Sequence, residues 1–266
     1  MTVFKEHRPG TFSYVELASP DPNGSRDFYM GLFGWDVRDE DMGEHGIYTQ
    51  FLKDGDVVGA LYKLPQEQAD AGVPPNWALY LTVENADQAV AKVKELGGKV
   101  IMGPMDVFEH GRMCVVADPV GAVCCLWQAK DHIGSARKDE HATLCWAEHM
   151  TSDVAASKAF YTGLFDWTTS AMDMGDMGTY HMMGHTPEAM CCGMMEITAE
   201  MGPVPPHWMA YFQVDDMAAI IGRATEQKGT VVVPPTGIPG GSFFAVMQDP
   251  QGAFFGLFQV GDQQDC

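Results

Sequence analysis

The chain carries one eight-residue pattern twice, FYMGLFGW at residues 28–35 and FYTGLFDW at residues 160–167. The second copy begins 132 residues after the first. Two further pairs of blocks repeat in the same order, each with an offset of 131: PPNW at 74–77 with PPHW at 205–208, and DPVGA at 118–122 with DPQGA at 249–253. Matched blocks at nearly constant spacing indicate an internal repeat. We therefore interpret the chain as a tandem duplication of a unit of about 130 residues.

Each half divides again into two similar modules. A strand-like run at residues 12–18 precedes a helix from about 24 to 33, in which Phe28 and Leu32 have helical spacing. Strands are predicted near 47–53 and 57–64, joined by the hairpin signal Asp54-Gly55-Asp56. The second module repeats this order: a strand at 77–83, an amphipathic helix at 86–96, and strands near 99–102, 113–117 and 122–128. The pattern thus predicts strand, helix and three strands, given four times in the chain.

Domain boundaries follow from these elements and from local composition. We predict a first domain at residues 10–130, a polar linker at 131–141, a second domain at 142–260 and a disordered tail at 261–266. A length of 266 residues fits two domains. Hydrophobic residues make up 46% of the chain, enough to bury a core in each.

The charge balance disfavours two classes of binding partner. The net charge of −20 disfavours nucleic acid, whose phosphates need clustered cations, and disfavours an anionic membrane surface. The sequence has no apolar run near the roughly 18 residues that span a bilayer, and its start lacks the apolar core of a signal peptide. The seven cysteines form no Cys-x-x-Cys pair and lie mostly in apolar runs, which is typical of buried thiols in a reducing compartment. We expect a soluble, cytoplasmic protein, either a monomer or a homodimer.

The repeated blocks resemble those of the vicinal-oxygen-chelate superfamily, which includes glyoxalase I, extradiol dioxygenases and bleomycin-resistance proteins. The resemblance rests on the FY…LFGW helix end, the strand exit Val214-Asp215-Asp216 and the Asp-Pro-x-Gly-Ala hairpin, and it covers residues 10–260. It implies an α+β fold of two tandem domains, each built from two βαβββ modules that form a cupped mixed sheet with helices outside. The chain is most similar to two-domain members named as hydroxylases or glyoxalase-like proteins.

The resemblance also implies where a divalent metal would be held. Counting from the motifs, the ligand positions in the first half are Tyr14, Gly59, Ala78 and Cys125. The matching positions in the second half are Trp146, Gly193, Met209 and Gly256. Only Cys125 has a side chain that could coordinate a metal. We therefore expect no cofactor and no metal quartet, and keep an off-pattern metal held by Glu148 and His207 as the alternative.

Strand alternation directs other side chains into the predicted cups. Tyr14 and Glu16 share one face of the first strand. Glu16 and Glu148 match across the duplication, and a carboxylate on an apolar wall is suited to acid–base catalysis if its pKa is raised. The alternative is that each glutamate bonds the backbone or an arginine and only holds the sheet together.

Further candidates come in matched pairs or lie alone. The paired tyrosines are Tyr80 with Tyr211, and Tyr48 with Tyr180. With His207, the residues Tyr80 and Tyr211 are predicted to polarise a substrate, whereas Tyr14, Tyr48, Trp146, Tyr180 and Met209 are predicted to contact it. Arg112 is predicted to clamp an anionic group in the first cup. Ordinary core aromatics and a solvated surface arginine remain the alternatives.

Three functional hypotheses follow. The first is an enzyme, glyoxalase-like or hydroxylase-like, that acts on a small oxygenated or aldehyde-type metabolite while Glu16 or Glu148 shuttles a proton. The second is a non-catalytic protein that captures a small molecule, as bleomycin-resistance members do, with Trp77, Trp127, Trp146 and Trp208 as stacking surfaces. The third is an interaction module whose cups are filled by its own side chains.

Overall fold

The computed structural model describes residues 3–43, 46–175 and 178–261. Within these ranges the chain forms two eight-stranded mixed sheets, one from each half of the sequence. The strand order is the same in both sheets, because the two halves are copies of one unit.

The elements of the first half are β1 (Phe12–Ser19), α1 (Pro22–Phe33), β2 (Asp36–Asp41), β3 (Ile47–Lys53), β4 (Asp56–Lys63), α2 (Gln66–Asp70), β5 (Asn76–Thr82), α3 (Ala86–Glu95), β6 (Lys99–Val107), β7 (Gly111–Ala117) and β8 (Val123–Ala129). They form the first sheet in the order β2-β3-β4-β1-β5-β8-β7-β6.

The elements of the second half are β9 (Leu144–Thr151), α4 (Val154–Phe165), β10 (Thr168–Asp173), β11 (Thr179–Gly184), β12 (Met190–Glu196), β13 (His207–Gln213), α5 (Met217–Glu226), β14 (Thr230–Gly237), β15 (Phe243–Gln248) and β16 (Phe254–Gln259). A single 3₁₀ turn, Ala199–Met201, lies between β12 and β13. The second sheet has the order β10-β11-β12-β9-β13-β16-β15-β14.

The two modules of each sheet meet at its centre. The pairs β1–β5 and β9–β13 are antiparallel, whereas each module closes with a parallel pair: β1–β4, β5–β8, β9–β12 and β13–β16. The predicted architecture, two α+β units each made of two βαβββ modules with helices outside the cup, is confirmed.

The repeated FY pattern forms the second half of α1 and of α4. Each helix begins at an aspartate, Asp21 or Asp153, whose side chain accepts a backbone N–H of the first turn. The first helix ends at Gly34, whose φ of 71° is left-handed and is adopted by glycine at no steric cost.

The helix-bearing faces of the two sheets pack against each other and share one hydrophobic core. The rings of Trp77 on β5 and Phe212 on β13 have centroids 5.2 Å apart, and Phe33 on α1 lies at the same distance from Phe212. The opposite faces of the two sheets therefore point away from each other.

The linker predicted at 131–141 packs closely against the first sheet. The backbone N–H of Ser135 donates to the carbonyl of Ser13 at 2.7 Å, and its hydroxyl donates to the carbonyl of Val58 at 3.0 Å. Ser135 is fully buried. Polar residues of this stretch thus hydrogen-bond to the backbone of strands β1 and β4.

Two elements of the first half, the strand β2 and the short helix α2, are not located by the sequence pattern. The strand β2 has the sequence DVRDED, with five charged residues among six, and lies at the edge of its sheet. Charged edge strands are common because they discourage pairing with other chains, so their residues do not follow the apolar alternation of central strands. The predicted tail lies outside the described residues except for Gly261. None of the described helices is long and apolar enough to cross a membrane.

Candidate functional site

The face of each sheet opposite the helices has an acidic residue at its centre. We call these faces cup 1, in the first sheet, and cup 2, in the second. In cup 1, β1 pairs with β5 so that Tyr14 lies opposite Tyr80 and Glu16 lies opposite Ala78. The same register brings Trp146 opposite Tyr211 and Glu148 opposite Met209 in cup 2. The predicted inward orientation of both glutamates is what the register shows.

Glu16 is held by two tyrosines. The hydroxyl of Tyr48 donates to Glu16 Oε1, and the hydroxyl of Tyr80 donates to Glu16 Oε2. Tyr14 lies 3.2 Å from Tyr48, hydroxyl to hydroxyl. Because Tyr48 has only one proton, which goes to Glu16, Tyr14 must be the donor in that pair. The result is a chain of hydrogen bonds that ends at the carboxylate.

Cup 2 has the same arrangement with one exchange. The indole Nε1 of Trp146 donates to the hydroxyl of Tyr180 at 2.8 Å, and Tyr211 donates to Glu148 Oε1 at 3.1 Å. Tyr180 also lies beside the Glu148 carboxylate, close enough to lower its pKa. Trp146, which can only donate, therefore occupies the place of Tyr14 and fixes the same direction of donation. The duplication has kept a four-residue floor in both cups.

Burial changes the acidity of both carboxylates. The pKa of Glu16 is raised above its ordinary value because burial disfavours the charged form, although the hydrogen bonds from Tyr48 and Tyr80 partly offset this. The pKa of Glu148 is raised for the same reason and is offset by Tyr211 and Tyr180. Both side chains lie deep among protein atoms yet keep part of their surface accessible, as expected at the bottom of an open cup. Each is therefore a protonatable group that a small molecule can reach.

The positions implied for a metal do not fit one. Gly59 is wrongly assigned to cup 1, because it pairs with the neighbour of Glu16 on β1: a Cβ on Gly59 would meet Val15 and Trp77, on the core side. The residue that faces cup 1 is Ala60, which lies opposite Glu16. Neither residue has a donor atom in its side chain.

In cup 2 tyrosine rings take the space beside two of these positions. A Cβ added at Gly193 would overlap the Tyr180 hydroxyl, and one added at Gly256 would overlap the Tyr211 ring. Over the described ranges, we find no group of three or more His, Cys, Asp or Glu side chains arranged to hold a metal ion. The donor set of the family's metal quartet is thus replaced by the glutamate–tyrosine floor.

No hydrogen bond or ion pair joins Glu148 to His207, the off-pattern pair, over the part of the chain that the structure describes. His207 begins β13 opposite Met150, and its Nδ1 lies 2.8 Å from the carbonyl oxygen of Pro205. Glu148 lies opposite Met209, one pleat further along β13. His207 thus lies on the same face of the sheet as Glu148, one pleat nearer the start of β13, and its role in cup 2 stays a prediction. Burial lowers the pKa of His207, which favours the neutral imidazole.

Arg112 is outside cup 1, contrary to the prediction. Its Nε and Nη2 donate to the two carboxylate oxygens of Asp87 on α3, both at 3.0 Å, and Nη1 lies 3.3 Å from Asp106. In the β7–β8 register Arg112 pairs with Gln128, which caps α3 through the backbone of Ala86. Arg112 thus belongs to the helix face.

The cation of cup 1 is instead Arg38 on the edge strand β2. Its register partner is Gln50, and its guanidinium donates to the Gln50 amide oxygen, with Nε at 3.0 Å. Because apolar and polar residues do not alternate along β2, its sequence does not predict which of its side chains face the cup. The charge pattern of DVRDED is the only available signal.

His132, in the linker, is a second residue of cup 1 that the sequence analysis does not identify. Its ring centroid lies 5.0 Å from that of Tyr14, and its backbone carbonyl accepts the indole N–H of Trp127 at 2.8 Å. Burial and the nearby His110 lower the pKa of His132 to about 4. It is therefore a neutral imidazole at the edge of cup 1, from a stretch that we interpret as linker.

The four tryptophans proposed for stacking fall into two pairs. Trp127 and Trp146 face the cups. Trp77 and Trp208 face the shared core, where their indole N–H groups donate to Tyr29 at 2.9 Å and Tyr161 at 2.7 Å. The second pair is therefore wrongly predicted as ligand surface.

This fold, with a repeated floor in each of two sheets, defines a tandem protein of paired βαβββ modules. The family model described as "Glyoxalase/Bleomycin resistance protein/Dioxygenase superfamily" matches residues 11–126 and 143–257. The chain belongs to this superfamily, as the repeated motifs predict.

Two relatives in sequence cover nearly the whole chain. "Putative glyoxylase CFP32" of Mycobacterium tuberculosis is 37% identical over 260 residues, which are 97% of this chain and 98% of the relative. "Anthracycline biosynthesis protein DauV" of Streptomyces sp. strain C5 is 33% identical over 262 residues, with 95% and 94% covered.

The fold is also similar to solved structures at low identity. The Mn(II)-bound glyoxalase from Novosphingobium aromaticivorans has a TM-score of 0.67 and 17% identity, with 96% of this chain and 83% of that chain covered. The 2,3-dioxygenase LapB from a Pseudomonas species has a TM-score of 0.61 and 14% identity, with 98% and 94% covered. At this identity the likeness concerns the fold.

Proposed function

We propose that this protein is a glyoxalase-like or hydroxylase-like enzyme that transfers protons on a small oxygenated or aldehyde-type metabolite, without the metal quartet usual in its family. The observation that carries the proposal is the duplicated floor, in which Glu16 accepts hydrogen bonds from Tyr48 and Tyr80, and Glu148 accepts one from Tyr211 with Tyr180 beside it. We expect the protein to act on a small molecule in solution.

A carboxylate with a raised pKa is a stronger base than an ordinary one and takes up a proton more readily near neutral pH. In cup 1 the Glu16 carboxylate would remove a proton from the carbon beside a substrate carbonyl. Tyr80 or Tyr48 would turn its hydroxyl towards the carbonyl oxygen as negative charge develops there. On an α-hydroxy aldehyde or ketone, Glu16 then returns the proton to the former carbonyl carbon, while the hydroxyl proton passes to the former carbonyl oxygen. The carbonyl group moves by one carbon, so the compound is isomerised and no oxidant is needed.

The relatives support a small-molecule role without selecting the substrate. One is named for a glyoxylase and another for anthracycline biosynthesis, so their names point to different compounds. The reaction type has to be tested on this chain directly.

The first prediction concerns turnover. In deuterated water, the wild type should exchange the hydrogen beside the carbonyl of simple 2-oxoaldehydes or hydroxyketones, followed by proton NMR. Replacing both glutamates, in Glu16→Gln/Glu148→Gln, should lower that rate by about 10²–10⁴-fold, because glutamine cannot accept the proton. A single replacement should cost as much only where its cup is the one that turns over the substrate.

Glu67→Gln is the matched control, since it makes the same exchange at an exposed position of α2, away from both cups. Exchange that persists in the Glu16→Gln/Glu148→Gln double variant would refute the proposed chemistry. Loss in only one single variant would assign the reaction to one cup.

A non-catalytic capture protein is the second candidate, supported by Trp127 and Trp146 on the cup faces. Aromatic side chains in a concave site provide a large surface for stacking a ring compound. Saturable quenching of tryptophan fluorescence, together with no exchange on any carbonyl compound, would favour capture over catalysis.

A further inference from the structure

The two cups have matching floors but different walls. In cup 2, five methionines lie on the same face as Glu148, as the strand register shows: Met150, Met172, Met182, Met195 and Met209. Met172 is 38% exposed, and Met182, Met195 and Met209 are half-buried. They lie on five strands, β9 to β13, one methionine on each.

The corresponding positions of cup 1 contain no methionine. The same register matches the five methionines, in the order given above, to Ala18, Glu40, Gln50, Tyr62 and Ala78. Ser170 of cup 2, opposite Met182, takes the place of Arg38, which lies opposite Gln50. Each charged or amide side chain of this cup 1 wall thus has an uncharged counterpart in cup 2.

A wall of half-exposed methionines has a physical cost unless something covers it. Apolar side chains grouped on a surface mark binding sites more often than isolated ones do. Methionine is unbranched and polarisable, so it adapts to flat ring systems and is enriched on binding surfaces. Glu148, which stays partly accessible at the centre, offers one polar contact.

We propose that cup 2 binds an uncharged, planar ring compound that carries a hydroxyl or carbonyl group. The ring lies against Met182 and Met209, and the polar group hydrogen-bonds to Glu148. The inference rests on the ligand-binding role proposed above for the cups, and it does not require catalysis.

A small molecule suits this face better than a protein partner. The Glu148 carboxylate lies deep among protein atoms, so a broad surface laid across the cup would leave it without a new partner. An anionic ligand is disfavoured, because Glu148 is the acid at the floor and the net charge of the chain is −20.

The test uses 2-naphthol, a neutral fused-ring compound with one hydroxyl, titrated by calorimetry into the full-length protein. The double variant Met182→Gln/Met209→Ala installs the residues that cup 1 has at these positions. We expect its affinity for 2-naphthol to fall at least about tenfold, since it removes apolar contact on both sides of Glu148. Met172→Glu, a change at an exposed rim position, should also weaken binding.

The matched control is Met102→Gln/Met105→Ala, the same two exchanges at exposed methionines of β6 in the other half, which are 42% and 44% exposed. It should bind 2-naphthol like the wild type. The anion 2-naphthoate should bind more weakly than 2-naphthol. Unchanged affinity in both cup 2 variants, or equal loss in the control, would overturn the inference.

Binding and turnover can fail separately. If 2-naphthol binds as expected while no carbonyl compound is turned over, cup 2 is a binding site and the proposed reaction is wrong. If turnover depends on Glu16 while 2-naphthol fails to bind, the reaction holds and the ligand class assigned to cup 2 is wrong.

Discussion

The acidity of the two floor glutamates links the candidate site to stability. Burial raises the pKa of Glu16 and of Glu148 above the ordinary value of 4.5, so the folded protein holds these protons at a pH where the unfolded chain has lost them. A group of this kind contributes its full stability below the unfolded pKa. That contribution is lost as pH rises through the folded pKa, because the folded state must then carry a buried charge.

The expected result is a pH-dependent gain on removing the acid. In Glu16→Gln and Glu148→Gln, the free energy of unfolding relative to wild type should rise between pH 4.5 and pH 8. The gain is about 1.4 kcal/mol for each unit by which the folded pKa is raised. Urea denaturation followed by tryptophan fluorescence at the two pH values measures it.

An exposed acid on α2 provides the control for net charge. Glu67→Gln removes one negative charge at an exposed position and should give no comparable gain. A difference between wild type and Glu16→Gln that stays constant with pH would contradict the raised pKa.

At the scale of elements, the family motifs act as contacts between the two halves. The hairpin aspartate Asp249 accepts two backbone N–H groups of its own turn through Oδ1, and through Oδ2 it accepts the hydroxyl of Tyr29 on α1 at 3.0 Å. The motif tryptophans also cross: Trp35 donates to the carbonyl of Ala142 at 2.9 Å, and Trp167 to that of Gly10 at 3.2 Å. The repeated residues therefore join one copy of the unit to the other.

These contacts predict a clear cost for a small change. Tyr29→Phe leaves the indole N–H of Trp77 and the carboxylate of Asp249 without their buried partner. We expect the free energy of unfolding to fall by about 1–3 kcal/mol or more, as is usual when buried polar groups lose a partner. Tyr161→Phe should behave alike, since Tyr161 accepts from Trp208 in the same way.

Chemical denaturation at pH 7 provides the measurement for both variants. The control is Tyr62→Phe, which removes a hydroxyl from a half-buried side chain of β4. If Tyr29→Phe were no more destabilising than Tyr62→Phe, the crossed hydrogen bond would have no energetic role.

Regular strands were predictable and irregular ones were not. Alternation along β1 predicts that Glu16 faces the cup, and it holds there because the register with β5 is continuous from Tyr14 to Ala18, after the irregularity between Phe12 and Tyr14. On β4 the register with β3 shifts between Phe51 and Leu52, and a shift of one residue inverts side-chain parity. Gly59 lies on this strand. Counting residues from a motif therefore predicts the wrong face of the sheet for it.

At the scale of the molecule, duplication explains what the sequence reveals. Comparing the halves identifies the floor residues, since Glu16 and Glu148 match at a fixed offset. The comparison does not identify Arg38 or His132 as cup residues. Arg38 lies on a charged edge strand and His132 in a polar stretch, so neither segment has the apolar pattern that predicts which way a side chain faces. The wall of methionines becomes visible only once the register shows which of the 19 methionines share a face with Glu148.

The shared core predicts that neither half is stable alone. Residues 1–141 would expose the face on which Trp77 contacts Phe212, and the indole N–H of Trp35 would lose its acceptor Ala142. Exposed apolar surface of this kind leads to self-association, so size-exclusion chromatography with light scattering should detect no stable monomer. Co-expression with residues 142–266 should restore a 1:1 complex with one cooperative thermal transition, because the two halves then bury a single core. A monomeric first half that unfolds cooperatively would show that its helix-bearing face needs no partner, and the molecule would then be two independent units rather than one.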